Sequence, residues 1–438
     1  MFLMKIFKEK NKILSFSILF FCCFIFTTHG QTFNVNHYLN KALEMSPLLQ
    51  KQESNNKIVE LDLEQFQAIY KSPKLSLNSA IMFAPIISKD GNGNKLEWVS
   101  NGSNDYIGYD LGISNGGQYQ ALVAVNQPLF TNKFYKTQEK NATILKARND
   151  NDVQLTKTEL QQMVTHQYIL CVQSQKQGEN TLKTIEIIKD QLAQMNVLVN
   201  SGIYKLVDLK LLEISLQNSQ IEYERLNAEY LMNFNGLNLI CGIDDESIHS
   251  LENIDLKISL PQQKASLFLA QYELDSLAVE ARQEIFELQY LPQISAFGDA
   301  GLNATYQPTL NRLGFGVGIS ASWNLFDGHQ KELRKEQTKL LLDNIKTDKN
   351  YFENQNKIQK NNILSQISSL DNQIILINKQ LVDYHKLFEL YNIEIKHCLI
   401  SALEIKTLIK EISAKEQEKT TVLMLKEILI NSYNYWNN

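Results

Sequence analysis

Residues 313–328 read Leu-Gly-Phe-Gly-Val-Gly-Ile-Ser-Ala-Ser-Trp-Asn-Leu-Phe-Asp-Gly and alternate with a period of two. Leu313, Phe315, Val317, Ile319, Ala321 and Trp323 are apolar, whereas Gly314, Gly316, Gly318, Ser320, Ser322 and Asn324 are small or polar. The pattern predicts a strand with one oily and one wet face. From His329 to Asn438 there is no Gly and no Pro, and the composition is that of helix formers. A strand with a lipid-like face therefore runs straight into a very long helical region. The same junction occurs once before. Gln127-Pro128-Leu129-Phe130-Thr131-Asn132 lies 196 residues ahead of Trp323-Asn324-Leu325-Phe326-Asp327-Gly328, and a long helical pattern follows there too.

The rest of the chain reads as two copies of a unit built on this junction. Residues 31–242 form the first repeat, 243–262 an acidic connector and 263–438 the second. In the first repeat, Ser46-Pro47 separates two helices, and the second of these ends at Pro73. Strands are expected at about 74–84 and 118–127, with a long polar loop of Gly, Asn, Ser and Asp at 86–117 between them. A helical hairpin follows, turned at Ser201-Gly202 and capped by Gly242. In the second repeat, a helix ends at Pro292, and strands are expected at about 293–303 and 313–324 before the closing hairpin. Ile374, Ile377, Leu381, Tyr384, Phe388, Tyr391 and Ile395 are spaced three and four apart in turn. Ile185, Ile188, Leu192, Met195 and Val199 repeat the last five of these in the same register. This is heptad packing of the coiled-coil kind. The fold class is mainly α with a small β part.

The N-terminus reads as a secretory signal over residues 1–30. Lys5, Lys8, Lys10 and Lys12 precede an apolar run from Ile13 to Phe26, and Thr28-His29-Gly30 supplies a small-residue cleavage site. Its removal takes away four Lys and one Glu and moves the formal charge from −5 to −8, which disfavours nucleic acid as a partner. Cys171, Cys241 and Cys398 then remain, odd in number and scattered on helical patterns, and they read as packing residues.

Four amphipathic strands of this length suit a bilayer crossing, but they cannot close a barrel alone. An open edge in lipid leaves backbone groups without partners, so the chain must share a barrel with copies of itself. Two copies would give a filled lumen and three or more an open one, and the small, polar wet faces fit an aqueous wall. Composition does not choose between three copies and four.

Taken together, these features resemble the TolC-like outer-membrane efflux proteins. The resemblance rests on the duplication, on Pro73 and Pro292 before each first strand, and on the two junctions. It also rests on the tip stretch Gly202-Ile203-Tyr204-Lys205-Leu206-Val207-Asp208-Leu209 and on Leu237-Asn238-Leu239-Ile240-Cys241-Gly242. It implies a homotrimer with a 12-stranded barrel in the outer membrane and an α-helical tunnel in the periplasm. Such a channel works with a periplasmic adaptor (a membrane fusion protein) and an inner-membrane pump. Cys398 departs from the pattern, since it stands where relatives usually have the tip Gly, and so does the length of the 86–117 loop. A soluble periplasmic coiled-coil adaptor or scaffold is the alternative, disfavoured because no compact β block separates the hairpin halves.

No catalytic constellation, metal-ligand set or cofactor motif emerges. The seven His are dispersed, and there is no G-x-x-x-x-G-K-[ST] loop. The candidate sites are therefore physical. Leu313, Phe315, Val317 and Ile319 are expected to face outer-membrane lipid, with Trp323 near a membrane interface. Asp208 and Glu404 occupy equivalent repeat positions just after the hairpin tips. The resemblance implies acidic residues near a periplasmic constriction, where they gate or favour cations. The plainer expectation is that both acids pair with Lys205, Lys210 or Lys406.

Overall fold

The structure is a computed structural model. It describes residues 33–98, 100–108, 113–114, 117–245, 247–260, 266–304, 313–397 and 399–438. The signal segment, Cys398 and parts of the 86–117 loop and of the connector lie outside the described residues.

The chain begins with helices α1 (Val35–Met45) and α2 (Pro47–Lys71). Asn34 caps α1 through its side chain, which accepts from the His37 amide at 3.1 Å. Strand β1 (Lys74–Phe83) follows Pro73. The 86–117 segment is not simply an irregular polar loop. It carries five short strands, β2 (Ile86–Ser88), β3 (Lys95–Glu97), β4 (Ser100–Asn101), β5 (Tyr106–Ile107) and β6 (Ile113–Ser114). Its Gly- and Asn-rich turns were legible, but strands of two or three residues are too short to show a period. Then come β7 (Gly117–Leu129), the 69-residue helix α3 (Asn132–Asn200) and the return helix α4 (Leu206–Cys241). The second half repeats the order with α5 (Leu267–Glu287), β8 (Gln293–Ala304), β9 (Leu313–Ser322), α6 (Gln330–Glu394) and α7 (Ala402–Trp436).

The chain folds into two compact units, each drawing on both halves of the sequence. One comprises Leu48–Leu155 and Ala265–Gln355, and the other the chain up to Pro47 with Thr156–Lys264 and Asn356–Asn438.

The first unit holds a four-stranded antiparallel sheet in the order β1-β7-β8-β9. Its helical part has a small core of Ile144, Ala278 and Ala281. Around this core, ion pairs join Lys140 to Glu284 (2.6 Å), Lys146 to Glu60 (2.9 Å) and Arg148 to Asp275 (2.8 Å). Ion pairs at or near the surface add little individually.

The second unit is helical. Tyr38 and Ala42 of α1 pack with Tyr168, Cys171 and Val172 of α3 and with Phe234, Leu237 and Cys241 of α4. Cys171 and Cys241 are packing residues here, and burial pushes both thiols up to about 12. The heptad positions Ile188, Met195 and Ile395 share one buried cluster, while Ile377 and Leu381 belong to another. The described part of the connector has no helix and runs along this core. Leu251 pairs with Phe33 in an isolated parallel bridge, and the Leu256 amide donates to Glu427 Oε2 at 2.8 Å. Gly242 ends α4 in the left-handed conformation (φ 66°), which an L side chain adopts only with strain.

Candidate membrane sheet and hairpin tips

Register fixes the two faces of the sheet. Leu75, Val125, Gly298 and Val317 stand in one row across all four strands, and Leu77, Val123, Ala300 and Phe315 in the next but one. Opposite partners in a ladder point the same way, so these rows, with Ile81, Phe83, Ile294, Leu302, Leu313 and Ile319, form one continuous apolar face. It is solvent-exposed in the single chain: Leu313 is 80 %, Phe315 87 %, Val317 83 % and Ile319 73 % exposed. The intervening rows form the wet face, such as Ser76, Ala124, Asp299 and Gly316. The Ser295 and Ser320 hydroxyls meet there at 2.8 Å.

The wet face also explains the glycine alternation of β9. Phe297 lies on this face opposite Gly318, and a Cβ built on Gly318 would come within 2.6 Å of its ring. A Cβ on Gly316 would approach the Asp299 carboxylate to 3.4 Å. Sequence alternation identified the face of these residues, but the glycines' reason for being small lies on the neighbouring strand.

The hairpin tips are built alike. At the first, the Ile203 amide reaches back to Leu198 O (2.9 Å), and at the second the Leu399 amide reaches Glu394 O (3.1 Å). The same five-residue return bond thus closes both tips, although Gly202 is replaced at the second by Cys398. Asp208 Oδ2 accepts from the Lys205 amide (3.1 Å) and Glu404 Oε2 from the Ser401 amide (2.7 Å). Each acid therefore sits at the third position of its helix and caps the first turn. Hydrogen bonds from the Ser401 amide and hydroxyl hold the Glu404 carboxyl below its ordinary range. Among the described residues no Lys is ion-paired with either acid, and Lys210 pairs with Glu213 instead (2.6 Å). Backbone capping, not lysine pairing, is what the equivalent repeat positions share.

No protein-family model and no curated protein matches the sequence. Solved structures do match. CusC superposes with a TM-score of 0.71 at 11 % identity, over 92 % of both chains. The outer membrane protein VceC of Vibrio cholerae gives 0.68 at 12 % identity, over 92 % of this chain and 96 % of its own. The Campylobacter jejuni CmeC outer membrane channel gives 0.65 at 10 % identity, over 92 % and 85 %. The chain has the fold of the TolC-like outer-membrane channels.

Within this channel fold, the duplication extends to individual hydrogen bonds. Gln127 and Trp323 are equivalent residues, and each donates a side-chain N–H to the carbonyl two residues before the repeat's proline. Gln127 reaches Lys71 O (3.5 Å) and Trp323 reaches Tyr290 O (3.1 Å). Trp323 is thus a strut between β9 and the end of α5, while most of its ring stays exposed. Thr131 Oγ1 adds a bond to Tyr70 O at 2.9 Å, and Asn324 Nδ2 one to Gln289 O at 3.2 Å. The chain passes from strand to helix at each junction through residues with positive φ: Phe130 at 57°, and Gly328 and His329 at 68° and 66°.

Tyr204 was quoted above only as part of a tip motif. Its hydroxyl donates to Ile400 O at 2.6 Å and lies 3.2 Å from Ile395 O, bridging from the first tip to the second. Gln191 and Asn392 make a second link at 2.8 Å. The sequence signal for Tyr204 was a lone aromatic in an otherwise aliphatic turn. Its partners are backbone carbonyls, which leave no trace in a sequence.

Proposed function

We propose that three copies of this chain assemble into a channel of the outer membrane. Each copy gives four strands to a 12-stranded barrel, and the helical hairpins form a tunnel in the periplasm. The channel passes substrates from an inner-membrane pump and a periplasmic adaptor, and it performs no catalysis itself. The observation that carries this reading is the four-stranded sheet. Its edges, β1 and β9, have no partner within the chain among the described residues, and one of its faces is apolar and exposed. In lipid every unpaired backbone group costs several kcal/mol, so closure requires further copies. The fold shared with outer-membrane channels supports three copies and the pump and adaptor. Among the described residues no helix is long and apolar enough to cross a membrane.

The mass of the detergent-solubilised protein, corrected for bound detergent, is expected to be three times that of the processed chain. A monomeric mass with intact β structure overturns the assembly.

In this assembly Asp208 and Glu404 supply six carboxylates near the periplasmic entrance. Rings of acids favour cations. Because both acids also cap helices, alanine would remove the cap as well as the charge. Asp208→Asn with Glu404→Gln keeps an acceptor oxygen at each cap. The double variant is expected to assemble normally and to lose much of the cation preference measured as a reversal potential in planar bilayers. An unchanged reversal potential would leave the two acids with capping alone.

A further inference from the structure

The long first loop has a sidedness that its composition does not announce. Ile87 of β2 is paired with Leu96 on one side and with Ile107 on the other, so the three share one face of the small β3-β2-β5 sheet. Leu96 and Ile107 are exposed. The opposite face carries Ile86 and Ser88, both buried, and any Cβ on Gly108 would collide with Ile86. The small sheet therefore already has a packed side, and its apolar residues on the other side are not covered by the loop itself.

That uncovered side is continuous with the apolar face of the large sheet. Phe83, the last residue of β1, lies in register with Leu75, Leu77 and Ile81. Its ring packs on Trp98 with centroids 5.0 Å apart. Trp98 follows β3 two residues after Leu96, which puts both on one side of an extended segment. Phe83 is 59 % and Trp98 60 % exposed even though they touch. One apolar surface thus runs from β1 through the Phe83–Trp98 pair to Leu96, Ile87 and Ile107. Lys95 and Glu97 pair on the opposite side of β3 (3.9 Å), and the exposed Asp90 accepts from the Asn104 and Asp105 amides.

We propose that this loop module lies on the membrane, with Phe83, Trp98, Leu96 and Ile107 in contact with lipid at the headgroup–acyl boundary. The proposal rests on the reading of the four-stranded sheet as a barrel wall. Its added content is that the lipid contact extends beyond the strands onto the loop. Trp and Tyr are enriched at that depth because one part of the ring is apolar and another donates a hydrogen bond. A continuous surface with the strand's lipid face admits lipid before any other occupant, since whatever surrounds β1 meets Trp98 next.

The test uses full-length channel in liposomes and exploits the small number of tryptophans, Trp98, Trp323 and Trp436. A Trp323→Phe/Trp436→Phe variant reports on Trp98 alone, and a Trp98→Phe/Trp436→Phe variant on Trp323. Lipids spin-labelled near the headgroup are expected to quench most of the Trp98 emission, and aqueous iodide little of it. Leu96→Ser with Ile107→Ser should shift Trp98 emission to the red and cut the lipid quenching. Trp98 open to iodide and untouched by labelled lipid, with Trp323 still quenched by lipid, overturns the proposal and leaves the barrel intact. If neither tryptophan is quenched by lipid, the barrel reading falls with it. Quenching of Trp98 that appears only on dilution into excess lipid, at a fixed fraction of labelled lipid, would mean that a second channel copy, and not lipid, covers the face, and would also overturn it.

Discussion

Replacing Gly301 with alanine is expected to disrupt the sheet, whereas the same change at Gly314, its partner in the ladder, should be tolerated. A Cβ on Gly301 would stand 2.1 Å from Ala121 O and 2.9 Å from Leu122 Cα. Both are backbone atoms of the paired strand β7, so no rotamer change relieves the overlap and the strands must separate. Around Gly314 nothing lies within 4 Å of the added carbon. Gly301 also has φ of 157°, while Gly314 needs no unusual backbone conformation. Strain at a site whose geometry the new residue cannot adopt costs more than the roughly 0.4–1 kcal/mol that Gly→Ala gains by restricting the unfolded chain. Heat-resistant oligomer on gels and the yield of protein in outer membranes would separate the two variants. Equal yields would show that β7 and β8 are not held at this spacing.

The second large effect is at the face proposed to meet lipid. Val317→Arg is expected to block assembly and Ser320→Arg to permit it, although the two sites are three residues apart on one strand. A charged residue at the lipid-facing midplane of a barrel costs about 2–4 kcal/mol, and each assembled trimer would carry three. Ser320 is on the wet face, with its hydroxyl against Ser295. Membrane integration after urea extraction and the fraction of trimer in detergent are the readouts. Similar integration of both variants would mean that the apolar face lies against protein and the assignment of sides is wrong.

How much of this was legible in the sequence follows from the range of each signal. Alternation in β8 and β9 and the heptads around Ile188 and Ile377 are local and periodic, and their elements stand where the pattern put them. Gly242 and the two prolines marked boundaries for the same reason, because each acts on its own backbone. The duplication located Asp208 and Glu404 as equivalents. Their capping bonds, to amides three residues back, were also within reach of a Ser-x-x-Glu reading at Ser401. What could not be read were contacts with a long sequence separation. Tyr204 meets a carbonyl near residue 400, Phe297 sits over Gly318, and Trp98 packs on Phe83 across the β2–β3 pair. None of these has a spacing that repeats.

The bare wet face of β9 has a consequence for how copies would meet. Four is an even number of strands, so β1 of one copy can lie antiparallel to β9 of the next, and the alternation crosses the boundary between chains without a parallel seam. The side chains that β9 brings to that seam on its wet face are Gly314, Gly316, Gly318, Ser320 and Ser322. They have almost nothing with which to distinguish one alignment from another shifted by two residues. The oily residues on the other face forbid only odd shifts, which would turn them inward. The seam is thus a ruler with its graduations rubbed off, and the vertical offset between neighbouring copies must be dictated by the rest of the protomer before the last hydrogen bonds of the ring can form.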